Sequence, residues 1–211
     1  MGGIAGRKAL VKVTGAPVAF TAEATTNSGD NQTYQITNAA KRVWDRATAL
    51  VVKVGGVVTV EQYTFNRLTG KVTFATVNAG RAAVTLDGAY LPLSIAIGAQ
   101  QYSYALSRAA LVDTDFDTVN TNNGFLSYAA GVSPDVEGSI GRRLTVDMVL
   151  RNQLLAGDPV VVQIFSDRTA AADLTMWALL DKDSVQAAID GMQSASVTFK
   201  GTADDQGVAV A

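Results

Sequence analysis

Four short runs of alternating apolar residues between positions 50 and 93 constrain the fold of this chain more than any other feature. β-Branched residues dominate the runs, and glycine-containing turns separate them at 55–56, 68–70 and 78–80. Alternation broken by glycine turns at this spacing is typical of consecutive antiparallel strands. We therefore predict a β-meander over this stretch.

The central hairpin of this meander has one apolar face. Tyr63 and Phe65 lie on the same face of its first strand, and Val72 and Phe74 face them from its second strand. The turn contains Gly70, which can adopt the positive φ angle that a short hairpin loop needs. A lone meander cannot cover such a face, so we expect it to pack on a second sheet or against another subunit.

The length of the chain favours a single all-β domain. Its 211 residues can bury a sizeable core, and no linker rich in proline or serine divides them. We expect one domain over residues 1–211, with an N-terminal arm (about 1–9), long loops (about 21–33 and 113–131) and a C-terminal tail (about 201–211).

Further strands are expected on both sides of the meander. Alternating or short β-prone runs bounded by turn residues mark them. The run from 144 is predicted to be a long half-buried strand, and a turn at 156–159 returns the chain as the next strand. The predicted strands cover residues 10–14, 34–37, 95–97, 102–106, 144–150 and 160–165.

Residues 169–192 fit both a helix and a pair of strands. Thr169 before a run of alanines has the character of an N-cap, so at most one short helix is predicted, near 170–177. The same residues also alternate as a strand would. Asp190 and Gly191 stand between two alternating runs, which favours a hairpin that continues into residues 194–199.

Charge is distributed unevenly along the chain. Residues 1–81 hold ten Lys and Arg and four Asp and Glu, a net charge of +6, whereas residues 82–211 hold seven and fifteen, a net charge of −8. Oppositely charged halves suit head-to-tail self-association. Alternatively, the halves interleave in one fold and the asymmetry disappears from the surface. The overall charge of −2 argues against a surface dedicated to electrostatic binding of nucleic acid.

The chain contains neither cysteine nor histidine. This composition excludes disulfides, thiolate nucleophiles, thiolate or imidazole metal sites and every catalytic dyad or triad with a histidine base. We expect no enzymatic activity, no cofactor and no metal. The composition still allows catalysis by paired carboxylates, as in glycosidases. The sequence has no signal-peptide core and no window that approaches a membrane span, so a soluble protein made in a cytoplasm is expected.

One acidic stretch has a spacing that could indicate calcium. Asp113, Asp115 and Asp117 occupy alternate positions. A helix-flanked calcium loop requires glycine at its sixth position and glutamate at its twelfth, and here those positions hold Thr118 and Gly124. A solvated loop with Asx turns is therefore the favoured interpretation.

Five passages that together span most of the chain carry a family resemblance: TGAPVAFTAEATT, YQITNAAKRVW, YTFNRLTGKVTFA, TNNGFLSYAAGV and AAIDGMQSASVTFKGT. Taken in order, they resemble the major tail proteins, or tail tube proteins, of long-tailed, non-contractile bacteriophages. The segment around Trp177 departs from the family pattern.

The resemblance implies a β-sandwich or barrel-like domain with extended hairpins that neighbouring subunits complete. It implies six-membered rings, stacked into a tube through which viral DNA passes in transient, non-specific contact. It also implies tape-measure, tail terminator and tip proteins as partners, a location in the virion tail, and assembly in the host cytoplasm. No membrane insertion is expected.

Candidate residues follow from this resemblance. A basic channel wall would bind DNA through counterion release, so an acidic or neutral lumen is expected, with some acids facing it. Each of these acids also fits an ordinary turn or strand end. The candidate lumen-facing acids are Asp181, Asp183 and Asp190, and the candidate inter-subunit contacts are Trp44, Tyr63, Phe65, Phe74, Phe125 and Tyr128.

Two other functions stay open. A capsid decoration protein or an adhesin module would share the β-rich pattern. A carbohydrate-binding or carbohydrate-acting β-sandwich would use Trp44 and Trp177 as a sugar platform and Glu23, Glu61 or Glu137 as acids. These are the only three glutamates, and none lies in an aromatic-rich context.

Overall fold

A computed structural model describes residues 9–96, 99–107, 110–112, 128–130, 135–143, 149–186 and 194–204. Over these ranges the chain forms sixteen β-strands, one α-helix and a single 3-10 turn at Ala39–Lys41. The predicted all-β class with at most one short helix is confirmed. Within the described ranges, no helix combines the length and apolar character that a membrane-spanning helix requires.

The strands form two seven-stranded antiparallel sheets. The curled sheet contains, in spatial order, β10 (Ala99–Ser107), β13 (Asp135–Arg143), β16 (Ser194–Gly201), β15 (Leu174–Gln186), β14 (Val160–Phe165), β1 (Leu10–Thr14) and β9 (Leu93–Ile95). The companion sheet contains β5 (Val57–Val58), β4 (Val51–Val54), β8 (Val84–Tyr90), β2 (Val18–Asn27), β3 (Thr33–Ile36), β7 (Lys71–Phe74) and β6 (Tyr63–Asn66). A separate pair joins β11 (Ala110–Val112) to β12 (Tyr128–Ala130), and the helix, α1, spans Val149–Ala156.

The curled sheet is an open half-barrel. Its two edge strands, β9 and β10, are consecutive in the chain and only three residues separate them. The sheet must therefore bend to bring its edges near each other, and the Ala99 N–H donates to the Ala96 carbonyl at 3.2 Å within this connection. A gap of about 660 Å³ remains between β1 and β10.

Three apolar clusters hold the two sheets. The first fills the inner face of the curled sheet, where α1 contributes the buried Leu150, and the second lies on the companion sheet around Trp44 and Phe74. The third joins them, because Trp177 and Val161 on the outer face of the curled sheet pack against residues next to the companion sheet. Those residues are Val43, Leu68 and Leu91.

The predicted meander is wrong in its connectivity. The hairpins β4–β5 and β6–β7 are both present, but they lie at opposite edges of the companion sheet with β8, β2 and β3 between them. The central hairpin has the predicted register, with Tyr63 opposite Phe74 and Phe65 opposite Val72, and Gly70 has a φ of +65°.

The predicted loop at 21–33 is also wrong over most of its length. Residues 21–27 belong to β2, a ten-residue strand that pairs with β8 and then with β3. Most of its side chains are exposed or half-buried, so its sequence lacks the apolar alternation that marks a strand. Only residues 28–32 connect it to β3.

The helix lies elsewhere than predicted. Residues 149–150, predicted to end a strand, begin α1, in which Leu150 and Leu154 are spaced by one helical turn and pack into the curled sheet. The residues predicted as a short helix at 170–177 lead into β15 instead. Met176 and Trp177 are both fully buried, on opposite faces of that strand, so its apolar content does not alternate.

The remaining strand predictions have mixed outcomes. β14 is a strand over the predicted residues, but it pairs with β1 and β15. The predicted pairing of the runs that form β15 and β16 is confirmed, while the proposed turn at Asp190 and Gly191 lies outside the described residues. The stretch with the calcium-like spacing also lies outside them, at 113–127.

The two charged halves of the sequence interleave in part. β1, from the basic half, belongs to the curled sheet, and β8, from the acidic half, belongs to the companion sheet. The asymmetry of the sequence therefore does not map simply onto two faces of the molecule.

Candidate assembly surface

Four adjacent strands of the curled sheet form a unit that we call the wing. It consists of β10, β13, β16 and residues 179–186 of β15. The strand β14 pairs with β15 only from Leu174 to Ala178. Among the described strands, residues 179–186 therefore pair with β16 alone.

The wing has two free edges. In the described part of the chain, β10 pairs with β13 and with no second strand, just as residues 179–186 pair only with β16. The sequence of β10, AQQYSYALS, holds no charge and no proline. Charged residues and prolines are the usual protection of an edge against strand addition, so β10 is open to pairing with another chain.

The outer face of the wing is rich in hydroxyl groups. The strand register aligns Ser103, Ser139 and Thr198 in one row across three strands. The hydroxyls of Ser103 and Ser139 lie 3.0 Å apart. Together the described residues of this face carry the uncharged polar side chains of Gln101, Ser103, Ser139, Ser184, Ser194, Ser196 and Thr198.

Charges on this outer face nearly balance. Glu137 and Asp181 line one shallow depression with Lys182 and Lys200. Asp135, at the start of β13, adds one further negative charge. Among the side chains that the structure describes, the wing therefore presents two positive and three negative charges, a near-neutral surface.

The inner face of the wing is apolar and incompletely covered at both edges. On β10 the rings of Tyr102 and Tyr104 stack with centroids 6.5 Å apart, and Tyr104 and Leu106 are 38% and 54% exposed. On the opposite edge Val185 is 49% exposed, and Leu155 on α1 is 76% exposed. The alternation in β10 was predicted from the sequence, and Val185 was placed in an alternating run, but neither Val185 nor Leu155 was singled out as an exposed apolar residue.

The predicted lumen acids have different environments. Asp183 lies opposite the fully buried Val197, and its side chain, 9% exposed, accepts a hydrogen bond from Arg142 Nη2 at 3.3 Å. The side chain is therefore held inside a single copy, which gives its assignment to a lumen surface no support. Asp181 is exposed beside a register shift in β15. Asp190 lies outside the described residues.

Two of the predicted inter-subunit contacts are core residues. Trp44 and Phe74 are both fully buried in the companion sheet. The indole N–H of Trp44 donates to the Lys41 carbonyl at 3.0 Å, and the guanidinium of Arg81 covers the Phe74 ring at 3.8 Å. Neither ring is exposed in a single copy, so the structure gives these two assignments no support.

The other predicted contacts stay predictions. Tyr63 and Phe65 are half-buried on β6, an edge strand of the companion sheet. Phe125 lies outside the described residues, and for Tyr128 only the backbone, in β12, is described.

The structure does not support a sugar platform. Trp44 and Trp177 are both fully buried, so neither can stack on a ligand. Glu61 is paired with Arg81 at 2.7 Å, and this hydrogen bond holds the pKa of Glu61 below its ordinary value. A general acid needs a raised pKa, so Glu61 is poorly suited to that role. In the described residues no cluster of acids is placed to hold a metal ion.

Comparison with known proteins finds partial structural similarity to two solved chains. No family model and no curated protein matches the sequence. One of the two solved chains is from the tail of an empty gene transfer agent (GTA) particle, computed with helical refinement and C6 symmetry. It is similar at a TM-score of 0.47 and 9% identity, and the match covers 57% of this chain and 85% of that one. A chain from the virion of the native gene transfer agent particle has the same TM-score and identity, over 56% and 87%. The function proposed below rests on the edges and faces of the wing.

Proposed function

We propose that this chain is a structural subunit of a phage-like tail tube, whose copies join head-to-tail through the two free edges of the wing. The observation that carries the proposal is that one four-stranded unit has two unlike edges, neither of which pairs with a further strand in the described part of the chain. Unpaired backbone N–H and C=O groups at a strand edge are a template for another strand. Contacts between unlike surfaces generate closed rings or open helical assemblies.

The direction of the strands suits a ring. All pairings in the wing are antiparallel, so β10 runs opposite to β15. A copy rotated about an axis roughly along the strands keeps its orientation, and this rotation brings β10 antiparallel to the β15 of the next copy. The alternation of strand directions then continues around the ring without a break. The sequence resemblance supplies the number six and the stacking of rings into a tube.

The outer face of the wing is the proposed channel wall. A strongly basic wall would hold DNA by releasing its counterions. Hydroxyl and amide side chains with nearly balanced charge keep water at the wall and give a passing duplex no place to bind. Asp181 stays a candidate wall residue, together with Lys182 and Lys200. The role is structural rather than catalytic, in a virion tail assembled in the host cytoplasm with tape-measure, terminator and tip proteins as partners.

The proposed edges can be tested by blocking them one at a time. Leu106→Lys places a charge on the β10 edge, and Val185→Lys places one on the β15 edge; both positions are about half exposed. Each variant alone should stay monomeric, because a charged edge resists strand addition. An equimolar mixture should form dimers and nothing larger. The intact β15 edge of Leu106→Lys can pair with the intact β10 edge of Val185→Lys, and the two remaining edges of that dimer are both blocked. Size-exclusion chromatography with light scattering, supported by negative-stain images, gives the readout.

A variant elsewhere provides the control. Val60→Lys changes an almost fully exposed residue next to the companion sheet and should assemble like the unmodified protein. Assembly of Val185→Lys on its own would exclude a contact between unlike edges. Failure of the unmodified chain to form rings or tubes at any concentration would refute the proposed function.

The proposed wall predicts how added positive charge changes DNA binding. Tubes of Ser139→Arg should retain a short labelled DNA duplex on sedimentation at 50 mM salt and release most of it at 200 mM, because such binding depends on counterion release. Unmodified tubes should retain little at either salt concentration. Thr64→Arg, on the exposed side of β6, adds the same charge away from the wall. Equal retention by both variants would argue against the assigned wall.

A further inference from the structure

An apolar stripe on β10 has no cover among the residues that the structure describes. Tyr102, Tyr104 and Leu106 lie on its inner face, and the exposure of the last two increases towards the end of the strand. Among the described elements, the helix α1 packs against β15, on the other side of the wing. Within the described part of the chain, one row of apolar side chains on the edge strand therefore stays open to solvent.

The helix carries an exposed apolar residue of its own. Leu150 and Leu154 face the core of the curled sheet. Leu155 follows at a rotation of about 100° around the helix, so it points away from that core. Val185, on the inner face of the free end of β15, is half exposed. This edge of the wing thus presents apolar groups on the same face of the sheet as the stripe on β10.

We propose that α1 of one copy covers the apolar stripe on β10 of the neighbouring copy, with Leu155 as its contact. The inference rests on the proposed pairing of β10 with the free end of β15. That pairing makes the two inner faces continuous, and it sets the stripe beside the strand on which the neighbouring α1 lies. Adjacent strands are about 4.8 Å apart, so a side chain of a helix over one strand reaches the next strand.

A second copy is the occupant that these surfaces favour. Each copy contributes one uncovered apolar stripe and one helix with an exposed leucine, so the contacts are satisfied in equal numbers all around a ring. The stripe itself carries no charge that would call for a charged partner. The helix then has two roles. Its buried leucines pack against the core of its own curled sheet, and Leu155 packs against β10 of the next copy.

Substitution of Leu155 tests this contact. Leu155→Glu should fold normally, because the side chain is 76% exposed, and it should raise the protein concentration needed for half-maximal assembly at least about tenfold. Leu155→Met should assemble like the unmodified chain. Ala156→Glu is the matched control, because it adds the same charge at an exposed position about 100° around the helix. It should change that concentration less than about threefold.

A second-site variant identifies the occupant. Tyr104→Ala shortens the stripe without placing a charge on the β10 edge, and Leu155→Glu should weaken assembly less in this background than in the unmodified chain, because the contact that it disrupts is already reduced. An equal loss in both backgrounds would show that Leu155 meets something other than β10 of the next copy. Normal assembly of Leu155→Glu would overturn the inference while the results for Leu106→Lys and Val185→Lys still support the tube. Absence of assembly in the unmodified chain would overturn both the contact of α1 with β10 and the proposed tail tube function.

Discussion

Replacement of Trp177 by alanine is expected to lower the free energy of unfolding by about 3–5 kcal/mol. The side chain is fully buried in the cluster that joins the outer face of the curled sheet to the companion sheet. Its removal leaves a cavity between two sheets that cannot easily collapse, because each is held by its own core. Urea denaturation followed by circular dichroism measures the loss.

Phenylalanine at the same position is the informative control. Among the described residues the buried indole N–H of Trp177 has no hydrogen-bond acceptor, so Trp177→Phe removes little besides volume and should cost less than about 1.5 kcal/mol. Trp44→Phe also removes the hydrogen bond to the Lys41 carbonyl and should cost about 1 kcal/mol more. A loss below about 1 kcal/mol for Trp177→Ala would show that the third cluster does not hold the sheets together.

Substitution of Gly70 by alanine is expected to lower the free energy of unfolding by about 3 kcal/mol, from two causes. The residue has a φ of +65°, where an alanine costs about 1–2 kcal/mol. A Cβ atom there would also lie 2.7 Å from both the Cα and the carbonyl oxygen of Arg42, and relief of such overpacking costs about 1–3 kcal/mol. Because the contact is with backbone, it cannot be relieved by rotation of a side chain.

Gly56 separates these two causes. Its φ is +83°, but no atom lies within 4 Å of the position that a Cβ atom would take, so Gly56→Ala should cost only the conformational part, about 1 kcal/mol. Both variants can be compared by thermal and urea unfolding of otherwise unchanged protein. Equal losses for the two would show that the turn at Gly70 shifts freely away from Arg42.

Local features of the fold were predictable from the sequence. The hairpin from β6 to β7 was predicted with its register, because alternation and a glycine turn fix both within about a dozen residues. The neighbours of β8 were not, because β8 pairs with β2, some sixty residues earlier in the chain, and no local pattern specifies such a partner. β2 itself was missed, since its mostly exposed side chains resemble those of a loop.

The assembly surface was harder to predict for a related reason. Alternation predicted a strand at β10, but its exposure depends on its position at an edge, which only the complete sheet defines. Asp183 has the sequence context of an exposed acid, and only the fold brings Arg142, 41 positions earlier in the chain, beside it. Leu155 gave no signal because its segment, predicted partly as a strand, is a short helix whose buried face needs only two leucines.

The even number of strands in the wing has a consequence for the size of any cylinder built from it. Because four is even, the first and last strands of the wing run in opposite directions, and each joint between copies is antiparallel. The backbone hydrogen bonds across a joint are then the same whatever the number of copies in the ring. Backbone pairing therefore leaves the bore undetermined. In the proposed ring, the angle between successive copies would therefore depend on contacts that lie beyond the backbone pairing of the wing.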